Sequence, residues 1–174
     1  MKYIVKFFVI VFFVFNFTYT LAEEKIVFIN MDYILNQSKS GKSAQNQLEK
    51  LHKSNLDYLK KIENKLKNEE KDILSKKNIL KEEEFEAQIA KLREDAREYQ
   101  NSRVKLTNEL TQKRTEVTKK ILDELKPILA KYTEEEVISV ILDKKNVIVG
   151  KTNLDITEII IKKLDNKLPE IKIN

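Results

Sequence analysis

The sequence predicts an α+β fold in which a small strand-containing body carries a long antiparallel helical hairpin. Charged residues make up 35% of the 174 residues, whereas Gly and Pro occur only twice each, a composition typical of long helices. No Gly or Pro lies between Gly41 and Pro127. Short apolar, β-branched runs on either side of this stretch, at 26–29 and 137–149, predict strands.

The first 22 residues have the pattern of a secretory signal peptide. Lys2 and Lys6 form a positive start, nine apolar residues follow at 7–15, and small residues at Thr20 and Ala22 suit a cleavage site. The alternative is a membrane anchor, but a spanning helix needs about 20 apolar residues. We therefore predict cleavage after Ala22.

The mature chain begins with a predicted strand, Ile26 to Ile29, because this apolar run is bounded by charge and by Asn30. A short helical turn is expected at 31–35. Ser and Gly at 38–41 predict a loop, with Ser40 or Ser43 capping the next helix.

Residues 43–130 predict two helices that pack along a shared seam, and we call this segment the prong. Residues spaced three and four apart form two mainly apolar stripes, one from Leu48 to Leu80 and one from Ile89 to Val117, as in coiled coils. The phase breaks between the stripes, and three Glu at 82–84 suit the first turn of a new helix. The prediction is an antiparallel hairpin with its tip near 77–81, and the alternative is one uninterrupted rod.

Charge favours the hairpin register. Residues 60–81 carry eight Lys and four acids, whereas residues 82–98 carry seven acids and three bases. Folding at the tip brings these arms of opposite sign together. Pro127 should kink or restart the return helix.

The last part predicts a β-hairpin followed by a helix. Apolar runs at 137–142 and 147–149 flank a four-residue turn, and Gly150 ends the second run. Asp155 and Glu158 then suit a capping box.

Composition excludes several kinds of chemistry. The chain has no Cys, which rules out disulfides and thiol catalysis. His52 is the one imidazole, and its neighbours one helical turn away are Leu48 and Leu56, which cannot bind a metal. We predict no catalytic, metal or cofactor site and no cofactor. Without Lys2 and Lys6 the 33 basic residues become 31 against 28 acids, a balance that does not favour nucleic acid.

Both ends of the mature chain resemble the Skp/OmpH family of periplasmic chaperones. The resemblance rests on Lys25-Ile-Val-Phe-Ile-Asn-Met31, on Leu35-Asn-Gln-Ser-Lys-Ser-Gly-Lys42, on Val140-Ile-Leu-Asp-Lys-Lys-Asn-Val-Ile-Val-Gly150, and on Leu154-Asp-Ile-Thr157. It covers residues 23–174, which we take as one domain with a body of 23–42 and 131–174.

The resemblance implies an ATP-independent holdase that is not an enzyme. It would be a homotrimer in the periplasm, with a shared strand body and three prongs that enclose unfolded outer-membrane proteins on their way to the assembly machinery. Membrane contact would be peripheral at most. A single strand and hairpin bury too little apolar surface to be stable alone, which also favours an oligomer. The expected trimer core comprises Ile26, Phe28, Ile29, Val140, Leu142, Val147 and Val149.

A basic stretch at the root of the prong is the candidate client-facing surface. It comprises Arg103, Lys105, Lys113, Arg114, Lys119 and Lys120, with Val104, Ile121 and Leu122 as apolar flanks. A positive cavity wall would attract acidic unfolded chains. The alternatives are an ordinary solvated helix face and, for the whole protein, a coiled-coil spacer or tether in the envelope.

Overall fold

The computed structural model describes residues 24–173, in which two long helices extend from a small body. The predicted signal peptide, residues 1–22, lies outside the described residues. Strand β1 is Lys25–Ile29 and helix α1 is Met31–Gln37. The expected strand and helical turn are therefore both present.

The predicted loop at 38–41 is wrong, because helix α2 begins at Lys39 and runs to Ser75. Only Ser38 separates α1 from α2. Its side chain accepts a hydrogen bond from the N–H of Gly41 at 3.1 Å, so Ser38 is the cap instead of Ser40 or Ser43. Gly41 lies in the first turn of α2, where the backbone of Leu35 approaches so closely that a side chain would collide with it.

Helix α3, Glu82–Glu135, returns along α2 after a tip at residues 76–81. The predicted two-helix hairpin is thus present, and the uninterrupted rod is excluded. Glu63 lies near Arg103 and Lys67 lies near Tyr99, so the helices are antiparallel. Helix α2 has 37 residues and α3 has 54, so the two measure about 56 and 81 Å. The extra length of α3 continues into the body.

The seam of the prong follows the predicted stripes closely. Leu48 and Ile73 are buried, and the seam residues of α2 between them are half-buried. The stripe of α2 shifts where Leu51 is half-buried and His52 is exposed. The stripe of α3 shifts twice in the same way, because Ala96 and Arg103 are exposed while the residues before them, 95 and 102, are half-buried. Helix α3 continues through Pro127 without a restart, because the loss of one backbone donor is tolerated where Leu125 anchors the same stretch in the core.

The predicted β-hairpin at 137–149 is wrong. Strand β2, Ile138–Asp143, pairs in parallel with β1, so that Ile26 lies opposite Val140 and Phe28 opposite Leu142. Residues 144–146 and 152–154 form short 3₁₀ turns, and helix α4, Thr157–Lys167, follows. Residues 147–149 are not in a strand. In the two-stranded sheet one edge of β2 has no strand partner within residues 24–173.

The core lies between this sheet, α1, the root of the prong and α4. Its fully buried members include Val27, Ile34, Ile121, Ile160 and Leu164. Ile121, expected to be a client-facing apolar flank, is therefore a core residue.

Candidate functional site

Within residues 24–173, part of one face of the sheet is left uncovered. Side chains alternate between the two faces of a strand. Val27 and Ile29 point into the core, whereas Ile26, Val140 and Leu142 form what we call the outer face. These three apolar side chains are 45%, 43% and 40% exposed, respectively.

The seven residues of the expected trimer core therefore divide into groups. Ile29 is buried inside its own chain. Phe28 is buried too, and its ring lies beneath the segment after β2, with Lys144 Nζ 5.8 Å from the ring centre. Val147 is half-buried in the same segment. The exposed members are Ile26, Val140, Leu142 and Val149.

A polar cluster shapes the segment that follows β2. Asp143 accepts a hydrogen bond from the N–H of Lys145 at 3.2 Å and starts a 3₁₀ turn where a hairpin turn was expected. Lys144 Nζ then lies 2.7 Å from the Asp155 carboxylate, which draws the chain toward the start of α4. The N–H of Ile156 donates to the carbonyl of Phe28 at 3.0 Å, so these residues cover the second edge of β1.

Asp155 is the electrostatic centre of that cluster. Partial burial raises its pKa, but hydrogen bonds from Lys144 and Thr157 outweigh this effect and hold the pKa below its ordinary value of 3.8. Thr157 in turn accepts a hydrogen bond from the N–H of Asn30 at 2.9 Å. The cluster therefore joins the end of β1 to the start of α4.

The prong exposes apolar side chains along its length. Leu56, Tyr58 and Val104 are each more than half exposed, and Ile79 at the tip is 82% exposed. The ion pairs Lys67–Glu63 and Lys65–Glu69 join successive turns of α2, and do not join α2 to α3. Lys67 lowers the pKa of Glu63 through its hydrogen bond and charge, and Arg103 on α3 adds a smaller effect of the same sign.

The six basic residues at the root of the prong do not form a single stripe. At about 100° per residue, α3 directs them to three sides. Arg103 and Arg114 share one side, Lys105 and Lys119 lie roughly opposite, and a third side carries the remaining pair, Lys113 and Lys120. A client on any one side would therefore meet only two of the six.

A cleft of about 780 Å³ opens between α1, α2 and α3 at the root. Leu48, Leu110 and Val117 line it, and His52 and Arg114 lie at its polar part. Of the candidate basic residues, Arg114 is the one that reaches this cleft.

The described residues contain no cluster of three or more His, Cys, Asp or Glu that could hold a metal ion. Within the same residues, no helix is both long and apolar enough to cross a membrane.

Sequence reasoning missed one arrangement on α2. Gln47 binds the backbone of the last described residues, 171–173, through its side-chain amide. The available signal was the alternation of Ile171, Lys172 and Ile173 after Pro169, which is typical of an extended segment.

Comparison with known proteins identifies similar chains. The model of the OmpH family, "Outer membrane protein (OmpH-like)", matches residues 25–164. No curated protein matches the chain. The fold is similar to the crystal structure of a candidate outer membrane chaperone (OmpH-like) from Caulobacter crescentus CB15, with a TM-score of 0.82 and 20% identity. That match covers 90% of this chain and 93% of the other, and at such identity it shows a shared fold.

Proposed function

Because this chain belongs to the OmpH-like family, we propose that it is an ATP-independent periplasmic holdase for unfolded outer-membrane proteins. It keeps these clients soluble and delivers them to the outer-membrane assembly machinery. The proposed localisation includes removal of residues 1–22, so mass spectrometry of the protein from an envelope extract should give Glu23 as the first residue. Recovery of the full-length chain from membranes would contradict this.

The exposed apolar side chains of the prong are the main observation in support of this proposal. It is only two helices thick, and Leu56, Tyr58 and Val104 stay exposed on it. Isolated apolar side chains on a solvated surface offer many weak, non-directional contacts. Such contacts suit a client that has no fixed shape and that must later be released without ATP.

The outer face supports the oligomeric part of the proposal. A two-stranded sheet is at most marginally stable alone, and Ile26, Val140 and Leu142 lie uncovered on it. Three copies that bring these faces together would bury them and direct three prongs to the same side. The enclosed space between the prongs would then hold the client.

The holding activity is tested by diluting an unfolded β-barrel protein from denaturant and recording its light scattering. The protein should suppress aggregation without nucleotide. A spacer or tether would not, so aggregation at the rate of the barrel protein alone would refute the holdase.

Two charge reversals of equal size test the basic root. Arg103→Glu with Arg114→Glu changes one side of α3, and Lys105→Glu with Lys119→Glu changes the opposite side. The pair that faces the enclosed space should slow capture of an acidic client at low salt, and added salt should reduce the difference. If both variants capture the client as fast as the wild type, the basic root has no role in capture and is an ordinary solvated helix face.

Substitutions in the sheet test the trimer. Val140→Asp places a charge on the outer face and should dissociate the oligomer while the chain stays helical. Ile29→Asp places the charge inside the chain's own core and should unfold the body, because burying an unpaired carboxylate costs several kcal/mol. Ser139→Asp, on the exposed neighbour of Val140, is the control. A Val140→Asp protein with the wild-type mass in solution would contradict this assembly.

A further inference from the structure

Residues 168–173 leave α4 and lie as an extended segment against α2. The backbone of Leu168 leaves the helical region, with φ −131° and ψ 73°, and Pro169 follows it, so the helix ends there. Ile171 is 5% exposed and belongs to the core, Lys172 is exposed, and Ile173 is half-buried against the core. This in–out–in alternation is that of a β-strand, although no strand of residues 24–173 pairs with the segment.

Gln47 takes the place of that neighbouring strand. Its amide nitrogen donates to the carbonyl of Ile171 at 2.6 Å, and its amide oxygen accepts from the N–H of Ile173 at 3.1 Å. The two bonds engage the two peptide groups on either side of Lys172, as a strand partner would do.

The amide of Gln47 is held in this orientation by its own helix. Its nitrogen also lies 3.2 Å from the carbonyl and 3.1 Å from the hydroxyl of Ser43, one turn earlier. The Ser43 hydroxyl itself donates to the carbonyl of Ile171, at 3.4 Å. The site is therefore formed mainly by α2, a rigid element, and not by the segment that occupies it.

Such a site recognises main chain and alternate side chains. Backbone hydrogen bonds of this kind give affinity without sequence preference, and pockets for every second side chain select the pattern. The pattern selected here is an extended apolar–polar–apolar peptide. Strands of membrane β-barrels alternate in the same way along their whole length.

We propose that the Ser43–Gln47 groove is a binding site for extended, alternating segments of an unfolded client, and that residues 171–173 are its internal occupant. This inference rests on the proposed holdase function and adds a second mode of client contact at the base of each prong. An internal occupant multiplies the apparent affinity for the client by the fraction of time for which the site is free. A segment that occupies the site nine-tenths of the time therefore weakens client binding about tenfold.

The test measures binding of a fluorescent (Ile-Lys)₃ peptide to the full chain by anisotropy. A peptide with three Ile followed by three Lys is the control of equal composition. Ile171→Asp should expel the internal segment and tighten binding of the alternating peptide about tenfold, by the same occupancy argument. The block peptide should gain nothing.

Adding Gln47→Met should abolish this gain, whereas Gln45→Met, on an exposed neighbour, should leave it intact. A gain that survives Gln47→Met, or the absence of any gain in folded Ile171→Asp, overturns the proposal.

A second measurement needs no variant. The N–H of Ile173 is bound to Gln47, so displacement should expose it. Excess alternating peptide should accelerate its hydrogen exchange in the wild-type protein, and the block peptide should not. Unchanged exchange refutes the groove even if Ile171→Asp fails to fold. If the exchange of Ile173 is unchanged but the protein still suppresses aggregation of a barrel client, the groove is refuted and the holdase function is not.

Discussion

Gly41→Ala should destabilise the body sharply, although alanine is the better helix former. A Cβ atom at position 41 would lie 2.0 Å from the carbonyl oxygen of Leu35 and 2.8 Å from its carbonyl carbon. An ordinary carbon–oxygen contact is about 3.3 Å, so α1 and α2 would have to separate by more than about 1 Å. The obstacle is backbone, and no change of side-chain rotamer relieves it.

The two opposing contributions can be compared. Replacing Gly by Ala inside a helix contributes about 1 kcal/mol in favour of folding. Overpacking costs about 1–3 kcal/mol, and we take the upper end because the Leu35 carbonyl cannot rotate away. The net loss is about 2 kcal/mol, which lowers the melting temperature of a chain of this size by about 4–8 °C.

Thermal unfolding followed by circular dichroism measures this loss, at one protein concentration because an oligomer's stability depends on it. Lys42→Ala, on the exposed next residue, should be neutral or slightly stabilising. If Gly41→Ala matched Lys42→Ala, the close approach of Leu35 would not constrain the helix junction and the reasoning would be wrong.

Three further outcomes follow from the described contacts. Asp155→Asn should reduce stability at neutral pH. Because the folded pKa of Asp155 lies below 3.8, its contribution to the free energy of unfolding is present above about pH 4 and is lost as the pH falls through the lowered pKa. The urea midpoints of the variant and the wild type should therefore converge at low pH. A constant gap between the two midpoints would contradict this. Val137→Gly should stabilise the protein by about 1 kcal/mol, because this exposed β-branched residue has a φ of 52°, which is strained for any residue except glycine. A lower urea midpoint for the variant would contradict this. A triple reversal to Glu on α2, at Lys65, Lys67 and Lys71, should accelerate hydrogen exchange in residues 66–92 and leave the body unaffected. Exchange as slow as in the wild type would exclude the idea that charge sets the register of the two helices.

Local patterns predicted the helices well, because each helix is encoded in its own residues. The stripes from Leu48 to Leu80 and from Ile89 to Val117 gave the two arms, and the break in phase gave the tip. Gly41 was misread because a glycine usually marks a loop, whereas here it permits two backbones to touch. That reason depends on Leu35 in another helix and cannot be seen locally.

The sheet was mispredicted for a related reason. Apolar runs on both sides of Asp143–Asn146 match a hairpin, and nothing local reveals that β1 competes as a partner. The Lys144–Asp155 pair then holds the intervening segment away from a second strand. Phe28 and Ile29 were expected in a trimer core, and the structure buries both inside their own chain. The apolar run alone does not reveal which chain covers a strand, so the trimer core stays a prediction.

The parallel pairing of β1 with β2 has a kinetic consequence. The pairing joins Lys25 to Ile138, and closing a loop of that length in a flexible chain costs about 4 kcal/mol of entropy. Helices form far faster than such long-range contacts. If α2 and α3 pair first, β1 and β2 lie at the same end of a rigid hairpin. The conformational search that remains before the strands pair is then short. We therefore expect substitutions that loosen residues 76–81 to slow the folding of the sheet. The tip of the prong would then influence the folding rate of a body that lies at the opposite end of the hairpin.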